Sequence, residues 1–198
     1  MHDFAPLSGP DALEPWSRQT ARAVIVHQDH LVFSYLKNRN QYVLPGGGID
    51  PGESVSACAK RECLEELGMI VTVGEPLAVV REYYDDILRF EHFYVLGTFK
   101  HERAAAAFTE EEIGLDLTEQ WIPLSTVQET LLRTRPYLMP NEYQSPHIQR
   151  AIANCHLREL LGIATCLGWD SGPIITNEGS SDTLSVSVMD ATADTALR

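Results

Sequence analysis

No stretch of this sequence approaches the ~18 consecutive apolar residues that a helix needs to cross a bilayer, so no membrane span is expected. The first 17 residues carry three prolines and no apolar run. They lack a basic leader and a hydrophobic segment behind it, and so do not read as a signal peptide. Paired CxxC spacing is missing as well. Cys58, Cys63, Cys155 and Cys166 are scattered, which argues against a zinc site and for reduced, partly buried thiols in a cytoplasmic protein. Cations are scarce: 15 Lys and Arg face 28 Asp and Glu, for a net charge of −13. Phosphate-backbone affinity comes from clustered Lys and Arg, so neither broad nucleic-acid binding nor adhesion to an anionic membrane is expected. Internal repeats are absent.

What is present fits a soluble globular chain, with 44% hydrophobic and 22% charged residues over 198 positions. That length suits one domain with a sizeable core. The segment 44–69, LPGGGIDPGESVSACAKRECLEELGM, stands out. Gly and Pro punctuate its first half, which must be a loop. Ser54 is a good N-cap, Gly68 is a natural terminator, and a helix is predicted between them. On that helix Glu62, Glu65 and Glu66 stand at i, i+3 and i+4, so their carboxylates converge. Like charges at this spacing destabilise a helix. A hard divalent cation with oxygen ligands is the simplest compensation, and Mg2+ favours one or two carboxylates plus substrate phosphates.

The same segment resembles the Nudix box, GX5EX7REUXEEXGU with U apolar. Gly47, Glu53, Arg61, Glu62, Cys63, Glu65, Glu66, Gly68 and Met69 fill its positions. Cys63 stands where aliphatic residues are usual, and a buried thiol behaves as a small hydrophobe. The resemblance implies an α/β fold: a Nudix-type α/β/α sandwich with a mixed β-sheet between helices. It also implies roles. Glu62, Glu65 and Glu66 become catalytic metal ligands for Mg2+, with Mn2+ as a substitute. Glu53 and Arg61 pair to support the site, and Gly47 joins the substrate-binding candidates. A loop glutamate further on often acts as base or extra ligand in the family. Among Glu110, Glu111 and Glu112, the last is favoured slightly.

Around the box, apolar β-branched runs predict strands over 20–28, 31–37, 42–44, 70–73, 77–84 and 87–100, and 119–124 resembles the last strand of the Nudix family, with its Trp-x-Pro-Leu ending. Asp85-Asp86 suits a hairpin turn, and Gly74-Glu75-Pro76 reads as a break. Ser125 reads as the cap of one helix. Ser145-Pro146 reads as the start of another, with Ile148, Ile152, Cys155 and Leu160 on one face. Residues 1–17 form an N-terminal extension, 18–168 the domain, and 169–198 a flexible tail. Within the tail LSVSVM could add an edge strand, here or in a partner chain, which leaves a homodimer open. Lys37 and Arg39 are candidates to hold substrate phosphates, or else solvated loop cations. Arg81 and Tyr84 are candidates for the cleft. His92 reads as a core histidine satisfied by a hydrogen bond. No part of this acidic sequence offers an evident basic cradle, so the metal is expected to do most of the charge reversal.

The activity implied is hydrolysis of a nucleoside diphosphate linked to another moiety, a small-molecule nucleotide substrate. Two other classes stay compatible. One is a non-catalytic nucleotide sensor, although the full glutamate set argues against it. The other is an RNA-end pyrophosphohydrolase, which the negative charge disfavours.

Overall fold

A computed structural model describes residues 16–84, 88–138, 146–169 and 183–189. Among the described residues, seven strands and five α-helices follow one another. Strands β1 (Trp16–His27), β2 (His30–Leu36) and β3 (Gln41–Val43) precede helix α1 (Val55–Leu67). Two long strands, β4 (Met69–Tyr84) and β5 (Leu88–Arg103), come next. Then follow α2 (Glu110–Gly114), β6 (Leu117–Pro123), α3 (Leu124–Arg133), α4 (Pro146–Ala153), α5 (Cys155–Leu167) and β7 (Thr183–Val188).

The sheet is mixed, in the order β3-β2-β1-β5-β4-β7, with β6 also paired to β2. β1 and β5 run parallel, matching Arg18 to Phe90, Thr20 to His92 and Arg22 to Tyr94. The other pairs are antiparallel. Side chains alternate across a strand, and β1 uses this fully. Ala21, Ala23 and Ile25 pack with Cys58, Ala59, Cys63 and Leu67 of α1 on one face. Val24 packs on the other with Phe33, Tyr94, Val127, Leu131, Leu161 and Ile163. The layering is therefore helix, sheet, helix, as expected. All four cysteines are free and buried, and Cys63 takes its apolar place against the sheet. Among the described residues no helix is long and apolar enough to cross a membrane.

Three local expectations change, and a fourth is narrowed to one of its alternatives. The break at Gly74-Glu75-Pro76 is an irregularity inside one continuous strand: the β4–β5 register shifts between Val73 and Pro76 and again between Pro76 and Ala78. Pro76 lacks the N–H a regular ladder needs. The α3 helix begins at Leu124 with Pro123 in the cap place and no side-chain cap bond. Ser125 therefore lies inside the helix. The helix predicted from Ser145 is two helices meeting at Asn154. That bend sends Ile148 and Ala151 to a small cluster with Tyr84 and Leu88, while α5 runs beneath the sheet. LSVSVM, finally, pairs with β4 of its own chain as the edge strand β7. Asp85, Asp86 and Ser145 lie outside the described residues.

Candidate active site

The site begins with the turn into α1. Ser54 Oγ accepts from the Ala57 N–H at 3.2 Å, a cap of about 1 kcal/mol. Gly68 closes the helix at φ +62°, a conformation other residues adopt at a cost. The loop before α1 clamps onto β1: Ala21 N–H donates to Gly47 O at 3.0 Å, and Ala23 N–H to Pro45 O at 2.9 Å. A Cβ on Gly46 would run into the Ala21 carbonyl, and one on Gly47 would press on the Glu62 carboxylate. The first contact is with backbone, so loop and strand meet there only without a side chain; the second would displace the end of the Glu62 side chain.

Arg61 is the hub of the helix face. Its Nε and Nη2 each donate to Glu53, both at 2.9 Å. Nη2 also reaches Gly48 O at 3.1 Å. Nη1 donates to Glu62 Oε1 at 2.7 Å and to Glu65 Oε2 at 3.0 Å. The bidentate bond from Arg61 outweighs burial and holds the Glu53 carboxyl down at about 2. This fork ties the loop to the helix, in line with the supporting role expected for Glu53 and Arg61.

Glu66 is in a different position. It is buried, and burial pushes its carboxyl up to about 8. Ser34 Oγ–H at 2.6 Å and Gly46 N–H at 3.3 Å both donate to its Oε2, and they oppose that rise without cancelling it. Burial also raises Glu62, with Arg61 acting against the shift. One carboxylate oxygen each of Glu62, Glu66 and Glu112 lie within 4.8 Å of one another. Glu112 arrives because the loop after β5 is tied back to α1. Ala104 N–H donates to Gly68 O at 2.9 Å, and Ala107 N–H to Glu65 O at 2.8 Å. Thr109 then makes a capping box with Glu112: its N–H and hydroxyl both donate to Glu112 Oε2, and its Oγ1 accepts from the Glu112 N–H.

The structure thus gathers Glu62, Glu66 and Glu112. Glu65 lies outside that group, half exposed and paired with Arg61. The donor set is all oxygen, two of its three carboxylates are buried, and among the described residues only Glu62 has a guanidinium partner, Arg61. Those are the properties of a seat for a hard divalent cation.

Beside the box loop lies a cavity of about 170 Å³ lined by Arg18, Arg22, Arg39 and Arg158. Thr20, Gln41, Phe90 and His92 share its wall, as do Ile148, Ala151 and Ile152 of α4. Arg22 Nη1 donates to the carbonyls of Leu44 and Gly46, so the cavity and the carboxylate cluster share one loop. Beneath them a buried network is complete within the protein. Glu82 accepts from Arg158 Nη1 at 3.0 Å, from Tyr84 Oη–H at 3.0 Å, and bonds His92 Nε2 at 3.0 Å. His92 Nδ1 meets Thr20 Oγ1 at 2.7 Å. Burial, followed by Arg158, pushes His92 down to about 3 and keeps it neutral.

A family model for the NUDIX domain matches residues 17–142. The chain belongs to the Nudix family. Solved structures resemble it at low identity. An ADP compounds hydrolase is 23% identical over 74% of each chain, with a TM-score of 0.43. A MutT protein from Methanosarcina mazei Go1 is 17% identical over 75% of this chain and 97% of that one, with a TM-score of 0.45. A UDP-X diphosphatase is 17% identical over 75% and 66%, with a TM-score of 0.44. No curated protein matches the chain.

As a Nudix hydrolase the chain is a pyrophosphohydrolase of a family that generally uses divalent metal. Its other predicted substrate contacts are dispersed. Arg39 lines the cavity, and Gly47 abuts Glu62. Lys37 is instead exposed and paired with Asp116 at 3.0 Å. Arg81 is paired with Glu91 at 2.9 Å. Tyr84 is buried, held by Glu82 and Asn154. These three side chains do not line the cavity. Arg18, Arg22 and Arg158 do, and they correct the expectation that this acidic chain has no basic cradle. One signal was visible: Arg18, Thr20 and Arg22 alternate at strand period ahead of an apolar run. The strand expected from Thr20 excludes Arg18, whereas β1 begins at Trp16 and takes it in.

Proposed function

We propose that this Nudix domain hydrolyses the pyrophosphate bond of a nucleoside diphosphate linked to another moiety, with Mg2+ as cofactor and Mn2+ as a working substitute. Nucleotides, nucleotide sugars and dNTPs all fit this class. The observation that carries the reading is the convergence of the buried Glu62 and Glu66 with the half-buried Glu112, whose carboxylate oxygens lie within 4.8 Å of one another. A divalent cation bound there would neutralise the diphosphate, polarise the scissile P–O bond and lower the pKa of water.

The protein's own groups do the rest. Glu62 and Glu66 serve as ligands fixed on one helix, and Ser34 and Gly46 orient the Glu66 carboxylate. Arg61 holds the Gly-rich loop to the helix through Glu53, and Glu65 supports that fork or joins the ligand set when Arg61 turns away. Glu112, on a short element tethered to α1, serves as the proton acceptor or a third ligand. Catalysis of this kind rests on positioning and on charge stabilisation in a dry site.

The test is a panel of nucleotides, nucleotide sugars and dNTPs incubated with Mg2+ or with EDTA, with the products identified. A nucleoside monophosphate or a phosphorylated fragment should appear with Mg2+ and vanish with EDTA. If nucleotides bind without turnover across the panel, the chain is a sensor and the proposed reaction is wrong.

A further inference from the structure

The turn at Pro45 and Gly46 depends on a side chain far from it in sequence. Both polar groups of the peptide joining these residues are used. Ala23 N–H donates to Pro45 O at 2.9 Å, and Gly46 N–H donates to Glu66 Oε2 at 3.3 Å. The carbonyls on either side, Leu44 O and Gly46 O, both accept from Arg22 Nη1. Arg22 therefore clamps the peptide that aims a donor at Glu66. A guanidinium suits this task, because its planar fork is pre-organised and loses little freedom per bond formed.

Arg22 is held in turn from α5. Its Nε lies 4.0 Å from Glu159 Oε1, and Glu159 is fully buried. Arg158 Nε donates to the same oxygen at 3.4 Å, and Arg158 Nη1 donates to Glu82 at 3.0 Å. With His92 neutral, two guanidinium groups face two carboxylates, and the charges balance. The Arg22 charge is also felt across the loop. Burial raises the Glu62 and Glu66 carboxyls, and Arg22 works against that rise in both. Without Glu159, Arg22 would have only those carboxylates to turn to, and it would leave the loop carbonyls for the place a cation would take.

Stability alone accounts poorly for Glu159. Exchanging a buried ion pair for apolar side chains is often neutral or stabilising. This pair is also poorly bonded: among the described residues, Arg22 Nε and Glu159 Oε2 are buried without a hydrogen-bond partner. We propose that Glu159 is a positioning residue, which acts through Arg22 to hold the Leu44–Gly46 turn and thereby the Glu66 carboxylate. The effect on turnover rests on the metal-dependent hydrolase reading; the linkage from Glu159 through Arg22 to the loop does not.

The test uses the full chain, with Mn2+ affinity from calorimetry, kcat and KM on a substrate of the nucleotide panel, and thermal melts. Glu159→Gln keeps the shape of the side chain and drops its charge. It should raise the Mn2+ Kd and lower kcat, each by roughly tenfold, the low end of what loss of an outer-shell partner costs, and leave KM near that of wild type. Glu159→Asp keeps the charge and should recover part of both losses. Glu159→Gln combined with Arg22→Lys should be no worse than Arg22→Lys alone, because residues acting in one chain do not add.

Additive losses in the double variant, a raised KM at unchanged kcat, or an unchanged Mn2+ Kd in folded Glu159→Gln would overturn the proposal. Wild type gives a reading that no folding defect can spoil. In the 15N-labelled protein the Arg22 Nε–H resonance, assigned by its loss in Arg22→Lys, should exchange slowly with solvent. Rapid exchange would mean that Glu159 does not hold Arg22, and would also overturn it. If wild type turns over nothing in the panel, the hydrolase reading falls, and Mn2+ affinity and the Nε–H resonance still decide the role of Glu159.

Discussion

Glu66 and Glu82 are the same group in comparable burial, 7% and 0% exposed, and they are pushed in opposite directions. Burial raises Glu66 to about 8. At Glu82 burial acts the same way, but Arg158 and His92 overcome it and hold the carboxyl at about 2. The difference lies in the partners. Glu66 has one hydroxyl and one long backbone N–H, whereas Glu82 has a guanidinium, an imidazole and a phenol. A buried carboxylate that the protein completes is architecture. One that the protein leaves with weaker partners, beside two more carboxylates, is the candidate seat for a cation.

Neutral isosteres should separate the two regions most sharply. Glu66→Gln removes a ligand and should lower kcat by about 10³-fold, equivalent to ~4 kcal/mol. Its metal-free Tm should stay level near neutral pH, where the Glu66 carboxyl already holds its proton and Gln replaces one neutral buried group by another. Glu82→Gln leaves Arg158 short of its partner, and breaking a buried pair costs about 3–5 kcal/mol. At ~2–4 °C per kcal/mol for a chain of this size, its Tm should fall by about 10 °C. Thermal melts in EDTA together with steady-state kinetics check both. If both variants lose the same Tm, the contrast between the regions is false.

The cation itself should act on only one region. At a Mg2+ or Mn2+ concentration of ~100 Kd, binding to the folded state alone adds ~2.7 kcal/mol, or a Tm gain of about 5–10 °C. Wild type and Glu82→Gln should both show the gain over EDTA, and Glu66→Gln should lose most of it. A full gain in Glu66→Gln would remove Glu66 from the ligand set.

The contrast also marks what the sequence could reveal. The box helix was legible end to end because its signals are local: the Ser54 cap, the Gly68 stop and apolar positions facing β1. The strands were legible from their apolar β-branched content and alternation, except that β1 begins at Trp16 rather than Thr20 and β4 runs on through Pro76, while the α3 cap falls at Pro123 rather than Ser125. Convergence of Glu62, Glu65 and Glu66 followed from helix geometry, yet spacing says nothing of a competing partner. Arg61 stands one turn before Glu65 and reaches its carboxylate. Glu112 takes up the third place through backbone bonds from Ala104 and Ala107, which no local pattern announces. The arginine cavity draws on β1, the turn before β3, and α5. The β1–β5 register that sets Phe90 beside Arg18 and His92 beside Thr20 joins segments far apart in the chain.

The smallest effect, at most ~1.4 kcal/mol per pH unit for each group, is in the pH dependence of stability, and there the two regions have opposite signs. Glu66 is raised, so without metal the folded state keeps a proton that the unfolded state gives up. Its contribution is full below about 4.5 and is lost as pH rises towards about 8. Glu82 and His92 are lowered, to about 2 and about 3. The unfolded state binds more protons at these positions, so their contribution is present above about 6.5 and is lost as pH falls towards 3. In EDTA the Tm should therefore peak between the two limbs, near pH 5–7. Glu66→Gln should flatten the alkaline limb and leave the acid limb, and saturating Mg2+ should flatten the alkaline limb of wild type, since a bound cation removes the reason for Glu66 to hold its proton. His92→Gln should soften the acid limb between pH 6.5 and 4.5 without touching the alkaline one. A Tm series from pH 4 to 9 on these proteins checks each limb separately. An alkaline limb that persists in Glu66→Gln would mean the buried charge deficit lies somewhere other than this carboxylate.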